Sequence, residues 1–370
     1  MKQKIMKRIA VAALSASMAL SGSAGYVFAS EAEETKTVVD SMENEVVIPA
    51  EIDSLAILPM PWISVVYALN GSGDIITGMQ QVAKNSYNTS MLKVLAPELE
   101  DTNTSFFADG EFNFEELAKI DPDVMILFES QSKFIDKLNE VGIPAVTIKY
   151  ADSFDTLWND FSIIGDVLSK EERAQSFVDY QKEDIAYLES KADQLDKDNP
   201  VKVLQLYMSD LQVCDNSGTF NAAVNHAGGV NVAQTTLEAS SEVQVNMEQI
   251  LAWNPDVILL SNFDDMVPDD FYSNSFDGQD WSQVKAVQDH RVYKIPQGIY
   301  RWDADGPCTE TTLCAKWMAR VINPDIFDDF DLKQDVKDFY KDFFDYELSD
   351  EEIDTILAAE ANADSVQLFD

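Results

Sequence analysis

One phrase is written twice in this chain. NFEELAKIDPDVMILFE begins at Asn113 and NMEQILAWNPDVILLSN begins at Asn246. Six of the first fifteen aligned positions are identical: Asn113/Asn246, Glu115/Glu248, Pro122/Pro255, Asp123/Asp256, Val124/Val257 and Leu127/Leu260. Each copy reads as a helix stopped at Pro-Asp, then a strand apolar throughout, as a strand buried on both faces requires. Self-similarity at this distance marks an internal pseudo-repeat, so the fold must place the same helix-to-strand unit in two separate lobes.

The segments around each copy alternate in the same way. SLAIL reads as a buried strand stopped by PMP, and WISVVYALN as a helix capped at Gly71. DIITGM, VMILF and PAVTIKY read as further strands, with KFIDKLNEVG as a helix between the last two. After DKDNP the alternation resumes with VKVLQLYM, FNAAVNHAGG, the second copy, RVYKIP and TETTLCAKWMARVI. This pattern predicts an α/β fold with a parallel sheet covered by helices in each lobe. Between the lobes, residues 152–198 carry helical apolar spacing at Leu157, Phe161, Ile164, Leu168, Phe177, Tyr180 and Leu188. They predict one long connecting helix, with a break near Ser169 as its weakest point.

The expected division is a signal peptide over 1–29, an acidic solvated tether over 30–47, an N-terminal lobe over 48–151 and the connector over 152–198. A C-terminal lobe over 199–328, C-terminal helices over 329–357 and a frayed tail over 358–370 follow. The signal reading rests on the basic run Lys2, Lys4, Lys7 and Arg8, the apolar IAVAALSASMAL, and small residues Val27 and Ala29 ahead of a cut. The same apolar stretch, kept, would serve as an anchor. No cysteine follows it for a lipid, so an extracytoplasmic protein of the periplasm or outer cell surface is expected.

Charge narrows the partners. The formal net charge is −40, and removal of the four basic residues before the cut takes it to −44. Nucleic acids and anionic membranes need a basic face and are excluded as partners. Cys214, Cys308 and Cys314 are an odd set, with a Cys308–Cys314 bridge left open, and no CxxC or Cys/His cluster suggests zinc. His226 and His290 are the only histidines, which argues against a zinc- or manganese-ion binder. NSGTF lacks the rest of a nucleophile elbow, and NGSGDIITG is not a GxGxxG turn. No catalytic set emerges, and no permanent cofactor is expected. An exported α/β hydrolase remains the enzymatic alternative.

Taken in order, VIPAEIDSLAIL…VYALNGSGDIITGM, NFEELAKIDPDVMIL, the connector, GTFNAAVNHAGGVNVA, NMEQILAWNPDVILLS, QDHRVYKIPQGIYRWD and YELSDEEIDTIL resemble a known family. It is the periplasmic binding proteins of ABC importers that carry iron–siderophores, haem, cobalamin and related metal complexes. The resemblance covers roughly residues 46–350. It implies two Rossmann-like lobes, a ligand cleft between them, a metal-chelate ligand and an ABC permease as partner, with the chain acting as a monomer. Oxyanion binders such as those for molybdate share the scaffold. The resemblance also implies that one glutamate per lobe, here Glu115 and Glu248, docks onto permease arginines. The same two residues in first helical turns also suit the helix dipole.

Ligands of open α/β sheets sit beyond the carboxyl ends of the strands. That rule selects Met60, Trp62, Tyr87, Phe106, Phe107, Glu129 and Gln131 in the first lobe. In the second it selects Tyr207, Met208, Thr219, Phe220, Asn262, Phe263, Tyr300, Arg301 and Trp302. Aromatic side chains there would wall a flat or chelated ligand. Arg301, one of four arginines after the expected cut, would fork onto an anionic group.

Overall fold

The computed structural model describes residues 34–150, 152–214, 218–234, 242–302 and 308–369. The expected signal segment lies outside the described residues. The chain enters as a hairpin, β1 (Thr35–Val39) antiparallel to β2 (Glu45–Pro49). This corrects the expected tether. Val38 and Ile48 are buried, and the Asp40 carboxylate accepts from the Met42 and Asn44 amides and from the Thr147 hydroxyl at 2.7–3.0 Å. One acidic residue therefore closes the turn and pins the hairpin to the first lobe.

That lobe is a parallel sheet of β3 (Leu55–Ile57), β4 (Ile76–Met79), β7 (Val124–Phe128) and β8 (Ala145–Ile148) in the order β4-β3-β7-β8. A short hairpin of β5 (Phe107–Ala108) and β6 (Glu111–Phe112) lies between. Its helices include α1 (Trp62–Asn70), α2 (Gln81–Thr89) and α3 (Phe114–Ile120). α1 is buried on nearly every side and ends at Gly71, whose φ of 81° needs glycine and whose amide bonds the Tyr67 carbonyl.

The expected connector is not one helix. α4 (Phe154–Leu168) and α5 (Glu171–Ser190) are separated by Ser169 at φ 53° and pack antiparallel. Phe161 meets Phe177, and the Trp158 indole donates to Gln181 at 3.2 Å. Gly165 permits the corner, since a Cβ there would lie 2.7 Å from that of Ala174. The apolar spacing runs through the break because both helices face the same core. α5 alone, about 30 Å long at 1.5 Å per residue, leads to the second lobe.

The second lobe is a six-stranded mixed sheet. It holds β9 (Val201–Met208), β10 (Gln212–Cys214), β11 (Gly229–Asn231), β12 (Glu242–Gln244), β13 (Val257–Leu260) and β14 (Val292–Lys294). The order is β12-β10-β9-β13-β14, with β11 also on β9. α6 (Thr219–His226) and α7 (Met247–Trp253) belong to it, and α8 (Thr311–Ile322), α9 (Leu332–Phe344) and α10 (Asp350–Ile356) close the chain. The expected frayed tail is also corrected. Asn362 exchanges hydrogen bonds with the Lys294 backbone, Ser365 donates to the Val292 carbonyl, and the Val366 amide to His290. The tail thus covers the edge strand β14, whose backbone groups need partners.

The repeated phrase is repeated in three dimensions. Asn113 caps α3 through the amides of Glu115 and Glu116, and Asn246 caps α7 through that of Gln249. Each helix stops at a left-handed residue, Asp121 at φ 46° and Asn254 at φ 44°, both residue types that tolerate it. Asp123 then accepts from the Asp53 and Ser54 amides and donates its own amide to Ser54. Asp256 does the same with Lys202. Each aspartate so clips the start of its lobe's first strand to the strand it opens, β3 to β7 and β9 to β13.

Alternation along the strands divides the core. Leu55, Ile57, Val124 and Ile126 join Val203, Val257, Leu259, Phe161, Phe177, Leu313 and Phe339 in one apolar body that spans both lobes. Ala56, Met125 and Leu127 face a second cluster, and Leu204, Leu206, Ile258 and Leu260 a third.

Candidate functional site

The carboxyl ends of β9 and β13 and the turn after β14 bring Tyr207, Asn262, Phe263 and Arg301 together. Tyr207 and Phe263 pack ring to ring at 4.7 Å. The Arg301 guanidinium lies 3.8 Å above the centre of the Phe263 ring, a close cation–π contact. Phe263 is held in place by Ser261, which accepts its amide, and by Lys294, which donates to the Ser261 and Asp264 carbonyls at 2.7 Å. Asn262 donates to the Ile295 and Pro296 carbonyls, so it fixes the start of the Arg301 turn.

Arg301 is only 9% exposed, and its Nη1 has no hydrogen-bond partner among the described residues. A guanidinium stays charged at any ordinary pH. Burying Nη1 without an acceptor is costly.

Its turn carries a second buried charge. Glu310 is fully buried and accepts from the Ile299 amide at 2.8 Å, the Tyr340 hydroxyl at 2.9 Å and the more distant Tyr300 amide. Burial pushes its carboxyl up to about 7, opposed by those donors. Across the lobes, Gln297 donates to the Thr89 hydroxyl at 2.9 Å and the Met91 amide to the Gly298 carbonyl at 2.9 Å. The Arg301 turn is therefore one place where the first lobe touches the second.

The other sequence-selected residues divide. Met60 is half-buried and packs on the core, and Trp62 is buried against Phe161. Tyr87 and Phe106 do not wall a cleft. Tyr87 is buried with its hydroxyl on the Ala96 carbonyl, and Phe106 packs on Phe112. Phe107 meets Phe112 and Phe134 edge-on beneath α3. Strand-end aromatics here turn inward because short strands leave the sheet ends to be filled. Glu129 is half-buried beside Asp160, and Gln131 caps the Phe128 amide. Thr219 is buried at the start of α6, and Phe220 packs on the main core. Tyr300 and Trp302 are buried, and the Tyr300 amide is turned to Glu310. Glu115 and Glu248 are both exposed.

Glu310 and Tyr340 were missed by sequence reasoning. Glu310 stands where an acid ahead of a helix is ordinary, and Tyr340 falls on the apolar spacing of α9, so neither left a signal. Cys308 and Cys314 are both buried. Among the described residues no three His, Cys, Asp or Glu side chains converge on a metal position, and no helix is long and apolar enough to cross a membrane.

Comparisons with known proteins agree with this geometry. The family model described as periplasmic binding protein matches residues 62–298. The crystal structure of a periplasmic solute binding protein from Veillonella parvula is 44% identical with a TM-score of 0.82, over 89% of this chain and 99% of that one. The molybdate-binding protein MolA of Haemophilus influenzae is 26% identical over 333 residues, 84% of this chain and 91% of MolA. An uncharacterized ABC transporter substrate-binding lipoprotein of Bacillus subtilis, YvrC, is 26% identical over 266 residues, 70% of this chain and 77% of YvrC. With two α/β lobes and a match over most of its length, the chain belongs to the periplasmic binding protein family and is the solute-binding component of an ABC importer, not an enzyme.

Proposed function

We propose that the protein captures a small oxyanion of the molybdate class and delivers it to an ABC import permease. One observation carries this reading: the buried Arg301 guanidinium, stacked on Phe263 with an Nη1 that bonds to nothing described. An oxyanion presents the paired oxygens that a guanidinium fork matches. Two further points support a small ligand over a bulky chelate. Tyr87, Phe106, Tyr300 and Trp302 are buried in the lobes instead of lining a wide cleft. The lobes also meet at Thr89–Gln297 and Met91–Gly298, beside the turn. The molybdate-binding relative points the same way. A second reading, an anionic metal chelate of the siderophore, haem or corrinoid kind, is favoured by the Tyr207–Phe263 pair, which offers an aromatic surface next to the charge.

Calorimetric titration with molybdate, tungstate, sulfate, a ferric siderophore, haem and cobalamin separates the two. Molybdate or tungstate is expected to bind, and at 100 times its Kd to raise stability by about 2.7 kcal/mol. Arg301→Ala should weaken binding by roughly 1.5–3 kcal/mol, the scale of a charge-assisted hydrogen bond. Arg301→Lys should recover part of the loss. Unchanged affinity in the alanine variant, or binding of a chelate alone, overturns the oxyanion assignment. Glu115 and Glu248 are proposed as the contacts with the permease.

A further inference from the structure

The turn that presents Arg301 has almost no regular structure of its own. Residues 296–302 leave β14 and are held by contacts from four directions. The Gln297 amide donates to the Ile356 carbonyl at the end of α10, and Gly298 is bonded both to Tyr300 and to Met91 of the first lobe. The remaining support is Glu310. Its Oε2 takes the Ile299 amide, with the Tyr300 amide further off, and its Oε1 takes the Tyr340 hydroxyl of α9. Gly298 leaves the room for this. A Cβ on residue 298 would lie 1.9 Å from Glu310 Oε1, so carboxylate and side chain cannot both be there.

A fully buried carboxylate with no cation beside it is a poor way to add stability. No Lys or Arg among the described residues pairs with Glu310. Among the described residues the titratable groups that face it are Tyr340 from α9, Tyr180 from α5, and Cys308 ahead of α8, which acts on Tyr340; none brings a positive charge. What the carboxylate does supply is a single acceptor on which the donors of one turn converge. A carboxylate accepts at every lone pair, whereas a protonated acid or an amide must spend one position as a donor.

We propose that Glu310 is the positioning residue of the anion site, its carboxylate fixing the 298–302 turn so that the Arg301 guanidinium is held over Phe263 to receive the ligand. This rests on the reading of Arg301 as the ligand's anchor. It has a consequence near neutral pH, because burial puts the Glu310 carboxyl at about 7. Protonation places a donor against the converging donors and loosens the turn, so affinity falls as pH falls. Stability runs the other way. A carboxyl raised above its usual range contributes stability that is present at low pH and lost as pH rises through about 7. A merely structural role would make the two move together.

The test uses the whole protein with molybdate as the probe, titrated at pH 6.0 and 8.5, together with ligand-free tryptophan emission across that range. Wild type should bind about tenfold more weakly at pH 6.0. Glu310→Gln should bind at least tenfold more weakly than wild type at pH 8.5 and show no pH dependence. The ligand-free emission should titrate with a midpoint near 7 in wild type and not in Glu310→Gln or Trp302→Phe. Tyr340→Phe keeps the carboxylate but removes a donor to it, so it should move that midpoint upward, and it serves if Glu310→Gln does not fold. Wild-type-like binding and pH profile in Glu310→Gln, or no emission titration in ligand-free wild type, or an unmoved midpoint in Tyr340→Phe, overturns the proposal. Molybdate binding at neither pH, with the emission titration present, overturns the oxyanion assignment and upholds Glu310's hold on the turn.

Discussion

Asp160 sits on α4 with no exposed surface. Its Oδ2 accepts the Lys149 amide at 3.0 Å, and its Oδ1 has no partner among the described residues. Burial pushes the carboxyl up to about 8, opposed by that amide and reinforced by Glu129. At neutral pH the folded protein therefore holds a proton that the unfolded chain releases. The sign follows: this group's contribution to stability is full below the ordinary carboxylate range and is lost as pH rises through about 8. Between about pH 5 and 8 the loss is roughly 1.4 kcal/mol per pH unit, one pKa unit's worth of free energy. Asp160→Asn keeps the shape and cannot ionise. Its melting temperature should gain on wild type steadily from pH 5 to 8, measured by circular dichroism. A constant difference, or one that narrows, removes the buried proton from the account. Residues of this kind are nearly invisible in sequence. Asp160 lies among LWNDFSII like any acid on an amphipathic helix. Arg301 stood out because arginine is scarce here and follows a strand, whereas the burial of Tyr87 and Phe106 was hidden because an aromatic at a strand end has two ways to turn.

The helix-to-strand units show what made the elements legible and where that failed. Pro-Asp was visible as a stop, but its physical work was not. Asp123 and Asp256 are acceptors for the strand beside them, and Asn113 and Asn246 cap the helices before them. Asn113→Ala and Asn246→Ala should each cost about 1 kcal/mol, the usual worth of such a cap. Asp123→Ala should cost about 1–3 kcal/mol, since it leaves the Asp53 and Ser54 amides without their acceptor. Molybdate affinity should not change in any of the three. Urea unfolding measures the ranking, and an Asp123→Ala cost no larger than that of the caps refutes the clip. Buried strands and amphipathic helices declared themselves by apolar runs and spacing. The first hairpin did not, because only Val38 and Ile48 of its ten strand residues are fully buried. The break near Ser169 was foreseen, but the reversal of direction there was not, because periodicity counts faces and is blind to direction. The tail was taken for frayed chain because its bonds run through Asn362 and Ser365, residues that sequence patterns assign to turns.

At the scale of the molecule, the question is how a protein with a net charge of −40 meets its permease productively. So much acid makes orientation a problem, since diffuse charge attracts a basic surface from any side. A contact on each lobe, at a position fixed by the same local structure, resolves the orientation. Glu115 and Glu248 meet that requirement. Each is exposed in the first turn of a seven-residue helix, two residues after a capping asparagine, and each helix leads into a strand of a different lobe. The shared core across the lobes and the contacts at Met91 and Gln297 keep the distance between them from varying freely. A single exposed ion pair contributes only about 0.2–1 kcal/mol, too little to select a pose. Two pairs at a fixed spacing select it by geometry, and each gains where the interface excludes water. Because the carboxylates touch neither core nor ligand turn, Glu115→Arg and Glu248→Arg should leave melting temperature and molybdate affinity nearly unchanged. Each should reduce stimulation of the transporter's ATPase in proteoliposomes, and the double variant should abolish it. Full stimulation by the double variant, or a complex in which the two helices face away from the permease, rules out the paired contact.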